Sequence, residues 1–172
     1  KIAVIGENAI KKMTVGGGSS SLKVKNEISP LDGLKARFEP EGIEVKYARG
    51  YIGDVGNEYN GVTSGQDLNE SKSSQDLIEE ALKIAADADC VLFIGGLNKS
   101  PHQDCEDTDR ISLNLPYGQD DLIESLVKVN PNLVVINISG NAVAMPWVDK
   151  VPAIVQAWYL GSQAGNIIAK II

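Results

Sequence analysis

The run Cys90-Val91-Leu92-Phe93-Ile94 decides the fold of this chain, because it is apolar at every position instead of alternating with polar residues. A strand of this kind is covered on both faces, as the strands of parallel sheets are. Three further runs share this character: Ile2–Ile5, Leu133–Ile138 and Ala153–Trp158. Ile43–Tyr47 alternates, which predicts a strand with one less buried face.

Amphipathic segments separate these strands. Apolar residues at helical spacing predict two helices that lie on the sheet, one with Leu77, Ile78, Ala81, Leu82 and Ala85, the other with Leu122, Ile123, Leu126 and Val127. Either Ser73 or Ser74 is expected to cap the first helix, and Asn130-Pro131 to end the second. Shorter helices are predicted over Leu31–Phe38 and from Gln163 onward.

The alternation of strand and helix predicts an α/β fold. We expect a three-layer sandwich, with a mainly parallel sheet of about five or six strands and helices on both faces. The 172 residues, of which 43% are hydrophobic, fit one such domain over 1–172.

The charge and the apolar runs exclude two classes of partner. The net charge of −7 argues against binding to nucleic acid or to an anionic membrane surface. The longest apolar runs, such as Leu133–Ile138, are far shorter than the ~20 residues that cross a bilayer. A neutral ligand is therefore easier to accommodate.

Two long loops follow predicted strands. The first, Gly6–Lys25, contains the glycine-serine run 16–21, and the second, Gly95–Pro116, contains the acidic run His102–Arg110. Ligands of open α/β sheets bind beyond the carboxyl ends of the strands. Both loops are therefore candidates for a binding site.

The acidic run contains four carboxylates: Asp104, Glu106, Asp107 and Asp109. A carboxylic acid that donates a proton at neutral pH must stay protonated, and a neighbouring carboxylate or apolar surroundings favour that state. Glu106 has such neighbours. The alternative is a solvated acidic loop in which Asp109 and Arg110 form a local ion pair.

Other chemistry has weaker support in these loops. The glycine-serine run could hold a phosphate with its backbone N–H groups, but it lacks the GxxxxGK[ST] and GxGxxG patterns. Glycines that let the backbone approach a ligand or another domain are the favoured interpretation. His102 and Cys105 lack the spacing of a zinc site or of an activated thiol.

Several short motifs occur in one order along nearly the whole chain. They are Lys1–Gly6 with Asn8-Ala9, Gly16–Ser20, Ser29-Pro30-Leu31, Tyr47–Gly50, Ala88–Val91, Gly95–Asn98, Glu106–Arg110, Leu113–Pro116 with Gln119, Ser139–Val143 and Gln156–Gly161. In this order the chain resembles the C-terminal α/β sandwich domain of glycoside hydrolase family 3, of the β-glucosidase or β-xylosidase type.

The resemblance implies an active site shared between two domains. A preceding TIM-like barrel would carry an aspartate nucleophile, and the sandwich domain would deliver the acid/base glutamate. The family pattern Glu-Gly-x-Asp-Arg corresponds here to Glu106–Arg110, so the acid/base role falls on Glu106, with Asp104 as the reserve candidate. The sequence departs from the pattern at Asp107, where the family has glycine.

The resemblance also implies the remaining parts of the site. The substrate or interface loops would include Gly16, Gly17, Gly18, Ser19, Ser20, His102 and Gln103, and Asp109 and Arg110 would have structural roles. The substrate would be a β-linked glucoside or xyloside oligosaccharide, the partner the N-terminal barrel of the same polypeptide, and no metal or organic cofactor would be needed. A periplasmic or secreted location is suspected on the same ground.

Two alternatives remain open from the sequence. One is a noncatalytic carbohydrate-binding or structural domain with the same fold, for which Asp107 is the main argument. The other is a flavodoxin-like phosphate- or nucleotide-binding domain that uses the glycine-serine run and leaves Glu106 without a role.

Overall fold

The computed structural model describes residues 1–14, 19, 22–53, 58–59, 62–63, 65–106 and 108–172. In chain order the strands are β1 (Ile2–Ile5), β2 (Val45–Ala48), β3 (Glu58–Tyr59), β4 (Val62–Thr63), β5 (Cys90–Gly96), β6 (Leu133–Ile138) and β7 (Ala153–Gln156). Five of them form one sheet in the order β2-β1-β5-β6-β7, and β3 and β4 pair separately.

All neighbours in the five-stranded sheet are parallel. The predicted α/β fold with a mainly parallel sheet is therefore confirmed. The chain moves outward from β1 to β2, then returns to place β5 on the other side of β1. The order thus reverses between β1 and β5, which is the switch point where ligands bind in doubly wound sheets.

Helices cover both faces of this sheet. They are α1 (Pro30–Phe38), α2 (Ser74–Ala86), α3 (Gln119–Val129) and α4 (Ala164–Ile171). Helices α1 and α4 pack on a core that contains Val4, Leu92 and Ile136. On the opposite face, α2 and α3 pack on Ile5 and Phe93.

The helix boundaries follow local signals in the sequence. The Ser73 hydroxyl accepts a 3.2 Å hydrogen bond from the Asp76 N–H, and the Asp76 carboxylate accepts from the Ser73 N–H. This capping box starts α2 and settles the choice between Ser73 and Ser74. Asn130 ends α3 as predicted. α4 starts at Ala164, after a 3-10 turn over Gly161–Gln163.

The prediction of a buried strand over Ala153–Trp158 is wrong in extent and burial. Strand β7 ends at Gln156, and both Ala153 and Gln156 are exposed. Trp158 lies beyond the strand with a left-handed φ of 57° and is 59% exposed. The physical reason is position, because β7 is an edge strand with β6 as its neighbour in the sheet.

Two other strands differ in their bounds. Strand β2 begins and ends later than the predicted Ile43–Tyr47, and β5 continues two residues past Ile94. Over the residues that the structure describes, no helix is both long enough and apolar enough to span a bilayer.

Candidate active site

The two long loops meet at the switch point between β1 and β5. The Asn8 side chain donates a 2.9 Å hydrogen bond to the Leu97 carbonyl, which joins the first residues of both loops. Farther out, the Ser19 N–H donates to Glu106 Oε2 at 2.5 Å. The loop after β1 thus contacts the Glu106 carboxylate of the acidic loop.

The end of β5 is held in place by a buried glutamine on α3. Gln119 is fully buried, and its amide accepts from the Gly96 N–H and donates to the Gly96 carbonyl, both at 2.8 Å. Gly96 has a φ of 114°, and a Cβ there would lie 2.2 Å from the Ile138 carbonyl oxygen. Only glycine fits this position without displacing β6, so the start of the acidic loop is fixed.

The first part of the acidic loop is folded by its own buried polar groups. Asn98 Oδ1 accepts a 2.7 Å hydrogen bond from the Ser100 N–H, and Gln103 Oε1 accepts a 2.9 Å hydrogen bond from the Asn98 N–H. The Gln103 amide also donates to the Tyr117 hydroxyl. Gln103, predicted as a ligand or interface residue, therefore uses its buried side chain to brace the loop.

Asp104 joins the acidic loop to the loops that follow β6 and β7. Its Oδ2 accepts hydrogen bonds from the Gly140 N–H at 2.6 Å and from the Tyr159 hydroxyl at 2.8 Å. Its Oδ1 accepts from the Asn141 side-chain amide at 2.6 Å. Three donors on two other loops thus surround this carboxylate.

The Tyr159 hydroxyl is suited to donate a hydrogen bond to Asp104. Burial of the ring is the main reason why the pKa of the Tyr159 phenol lies well above its usual range, and the charge of Asp104 and their hydrogen bond add to the effect. The phenol therefore stays protonated at neutral pH. The Lys99 ammonium lies 3.9 Å from the centroid of the same ring, within the range of a cation–π contact.

Glu106 differs from Asp104 in its surroundings. Its side chain is exposed, and the structure describes one hydrogen bond to its carboxylate, from Ser19. It faces an open cleft lined by Lys99, Gln103, Asp104, Cys105, Glu106, Gly140 and Asn141. An exposed carboxyl group beside a cleft can exchange a proton with a bound molecule.

The other predicted residues of the acidic run fold the loop. His102 has a left-handed φ of 62°, and its N–H donates to the Thr108 hydroxyl at 2.9 Å. Arg110 does not form the local ion pair with Asp109 among the described residues. Its guanidinium donates to the carbonyls of Ala142 and Ser112, at 2.5 and 2.8 Å.

Part of the predicted site lies outside the described residues, namely Gly16, Gly17, Gly18, Ser20 and Asp107. Sequence reasoning missed the partners of Asp104, which are Gly140, Asn141 and Tyr159. All three follow the carboxyl ends of β6 and β7, so the rule that placed the two long loops at the ligand-binding edge could have pointed to them.

The arrangement suits proton transfer by carboxylates. No group of three His, Cys, Asp or Glu side chains in the described ranges is placed to hold a metal ion. Cys90 and Cys105 are both free thiols.

Comparison with known proteins identifies relatives over the whole chain. The model of the glycosyl hydrolase family 3 C-terminal domain matches residues 1–172. A β-glucosidase of Bacteroides ovatus is 47% identical over 178 residues, covering 100% of this chain and 22% of that protein. The chain thus spans about a fifth of the length of this relative.

Solved structures agree with the sequence relatives. A β-glucosidase of Kluyveromyces marxianus superimposes with a TM-score of 0.80 over 99% of this chain and 35% of that chain, at 22% identity, which supports the fold. A family 3 exo-β-xylosidase, solved in complex with a xylobiose aziridine activity-based probe, gives a TM-score of 0.73 at 29% identity, covering 99% of this chain and 20% of that one.

Proposed function

Because the chain belongs to the family of glycosyl hydrolase family 3 C-terminal domains, we propose that it is the acid/base half of a retaining exo-acting β-glycosidase. One observation carries the proposal. The Glu106 carboxylate lies beside an open cleft lined by the loops after β5 and β6, and it accepts a hydrogen bond from Ser19 of the loop after β1. The whole of 1–172 then acts as one sandwich domain of a larger enzyme.

In this proposal the active site is completed by a barrel in the rest of the polypeptide. An aspartate of that barrel attacks the anomeric carbon while Glu106 gives its proton to the leaving oxygen. The Glu106 carboxylate then takes a proton from the water that hydrolyses the glycosyl-enzyme intermediate. Retention requires the two carboxyl groups to lie about 5–5.5 Å apart, a separation set by the docking of the two domains.

The structure favours Glu106 over Asp104 for the proton transfer. A carboxylate has about four acceptor sites, and Asp104 uses three of them on protein donors. A proton on Asp104 would remove the negative charge that strengthens these three hydrogen bonds. Glu106 accepts one hydrogen bond among the described residues, from Ser19, and its side chain is exposed beside the cleft.

The names of the relatives set the proposed substrate class. A β-glucosidase and an exo-β-xylosidase both match the whole chain or nearly so. We therefore infer a β-linked glucoside or xyloside oligosaccharide as the substrate, cleaved from its non-reducing end. The resemblance of the motifs also favours a periplasmic or secreted location, which cell fractionation would test.

The first prediction tests the role of Glu106 in the full-length protein. Glu106→Gln removes the proton donor without changing the shape of the side chain, so turnover of a phenyl or alkyl β-glucoside should fall about 10²–10⁴-fold. A dinitrophenyl β-glucoside should lose less in glycosylation, because its leaving group departs with little protonic help. Steady-state kinetics on substrates of both kinds measure the difference.

Azide provides the diagnostic signal for this variant. It needs no general base, so it should restore turnover of the dinitrophenyl β-glucoside by Glu106→Gln, where deglycosylation is limiting, and leave a β-glycosyl azide, as two inversions require. Glu39→Gln, the same change on an exposed residue after α1, serves as the control and should behave as wild type. Normal activity of Glu106→Gln would contradict the proposal.

A noncatalytic carbohydrate-binding role is the second candidate, because Asp107 stands where the family pattern has glycine. It predicts that the full-length protein binds a β-glucoside and hydrolyses none. Product analysis after long incubation separates the two roles.

A further inference from the structure

We propose that Asp104 is a positioning residue that holds the Glu106 loop in its catalytic geometry by linking it to the loops after β6 and β7. The inference rests on the proposed function, since it concerns the same carboxylate. It assigns to Asp104 a role different from proton transfer, and it brings Asn141 and Tyr159 into the active site as its partners.

The contacts show that Asp104 is the junction of three loops. The acidic loop supplies the carboxylate, the loop after β6 supplies the Gly140 N–H and the Asn141 amide, and the segment after β7 supplies the Tyr159 hydroxyl. The Asp104 N–H also donates to the Asn98 carbonyl at 3.0 Å, which ties its backbone to the buried base of the loop.

The spacing along the chain connects this junction to Glu106. One residue, Cys105, separates Asp104 from Glu106. On its N-terminal side, Glu106 is therefore held by the contacts of a residue two positions away. Two extended residues span about 7 Å, which leaves room for Glu106 to move by several ångströms if the anchor is lost. A misplacement of about 1 Å can cost 10²-fold in rate.

The donor pattern favours a carboxylate at position 104. Two donors meet Oδ2 and one meets Oδ1, so both oxygens accept. In Asp104→Asn one of these oxygens becomes an NH₂ group, which either faces the Gly140 N–H or requires the Asn141 amide to reverse so that its oxygen accepts. The links to the loop after β6 are then broken or lose the strength that the carboxylate charge gives them.

The same pattern predicts a rescue by exchange. If Asn141→Asp is added to Asp104→Asn, the amide at 104 can accept from Gly140 and Tyr159 and donate to the new carboxylate at 141. Asn141→Asp alone places two carboxylates where Asn141 Nδ2 and Asp104 Oδ1 now lie 2.6 Å apart, so it should also be defective. Both single variants should fail and the double variant should recover.

The experiment uses the full-length protein and two substrates with different leaving groups. For Asp104→Asn we expect kcat/KM to fall about 10- to 100-fold with a phenyl or alkyl β-glucoside, but only a few-fold with a dinitrophenyl β-glucoside. A loss of folded protein would reduce the apparent kcat/KM for both substrates by the same factor. The double variant should return to within a few-fold of wild type on both substrates, and azide should accelerate Asp104→Asn no more than it accelerates Glu106→Gln.

Three results would overturn the inference. Equal losses on both substrates would make Asp104 merely structural, and failure of the double variant to recover would exclude the exchange. A larger azide rescue of Asp104→Asn than of Glu106→Gln would identify Asp104 as the acid/base itself. The proposed function is judged separately, by the activity of the wild type and the azide response of Glu106→Gln.

Discussion

At the scale of single residues, the most unusual feature outside the cleft is a buried ion pair. Glu7 and Arg49 follow β1 and β2, and their side chains are 1% and 7% exposed. Glu7 Oε2 accepts from Arg49 Nε at 3.0 Å and Nη2 at 2.6 Å, and from the Gly53 N–H at 2.8 Å. Lys11 Nζ lies 3.6 Å from Glu7 Oε1.

Removing one partner of this pair should destabilise the fold strongly. Arg49→Met leaves the Glu7 carboxylate buried without its main counter-charge, which typically costs about 3–5 kcal/mol. Arg37→Met is the matched control, because Arg37 pairs with Glu41 on the surface, where such pairs contribute about 0–1 kcal/mol. Urea unfolding of wild type and of both variants gives the loss in the free energy of unfolding for each substitution. Similar losses would show that the burial of Glu7 is not compensated by Arg49.

From the sequence, candidate residues can be proposed, but their pairings cannot. Glu106 could be named because its motif is local, and Asp104 because it lies two positions away. The strand-end rule could have placed the partners of Asp104 at the same edge of the sheet. It could not have predicted that they bond to Asp104, or that Glu7 pairs with Arg49, since these contacts join loops that follow different strands. Such contacts depend on the order of strands in the sheet, which local patterns do not contain.

At the scale of elements, α1 and α4 are in unusually close contact. A Cβ on Gly33 of α1 would lie 2.1 Å from the Gly165 carbonyl oxygen of α4. A Cβ on Gly165 would in turn lie 2.1 Å from the Ser29 carbonyl oxygen. The backbones of the two helices therefore touch, and no side chain fits between them.

Gly33→Ala should move α1 away from α4 and destabilise the fold by about 1–3 kcal/mol. The sign of this change in the free energy of unfolding is informative, because alanine favours the helix over glycine by about 1 kcal/mol. Ala36→Gly, at an exposed position of the same helix, measures that intrinsic difference and should cost about 1 kcal/mol. The urea midpoints of both variants test this, and a stabilised Gly33→Ala would refute the close contact.

Helical periodicity predicted α2 and α3, and unbroken apolar runs predicted the interior strands, but neither signal gave every boundary. Apolar spacing was sufficient for α2 and α3, where the stripe faces the sheet. It failed at β7, since Ala153–Trp158 is apolar enough for a buried strand but lies at the edge of the sheet. Whether a strand lies at the edge or in the centre depends on the assembled sheet and not on the sequence of the segment.

At the scale of the whole molecule, the described chain builds both sides of its core. The side chains of Val91, Leu92, Phe93 and Ile94 in β5 are completely buried. They alternate between the cluster under α2 and α3 and the cluster under α1 and α4. The unbroken apolar run predicted that β5 is buried on both faces. Only the structure gives the strand order β2-β1-β5-β6-β7 and, with it, the switch point.

The last prediction follows from the core that the described residues form and from the proposal that the active site is shared with a second domain. Residues 1–172 expressed alone should unfold cooperatively in urea, because both faces of the sheet are covered within the chain. The same protein should not hydrolyse aryl β-glucosides or β-xylosides, since a retaining mechanism needs a nucleophile about 5–5.5 Å from Glu106 and the proposed one belongs to the barrel. The full-length protein, assayed at equal concentration, should be active. Glu106→Gln in the isolated chain is the control for contaminating activity. Hydrolysis by the isolated chain that disappears in this variant would place the nucleophile within 1–172 and contradict the two-domain site.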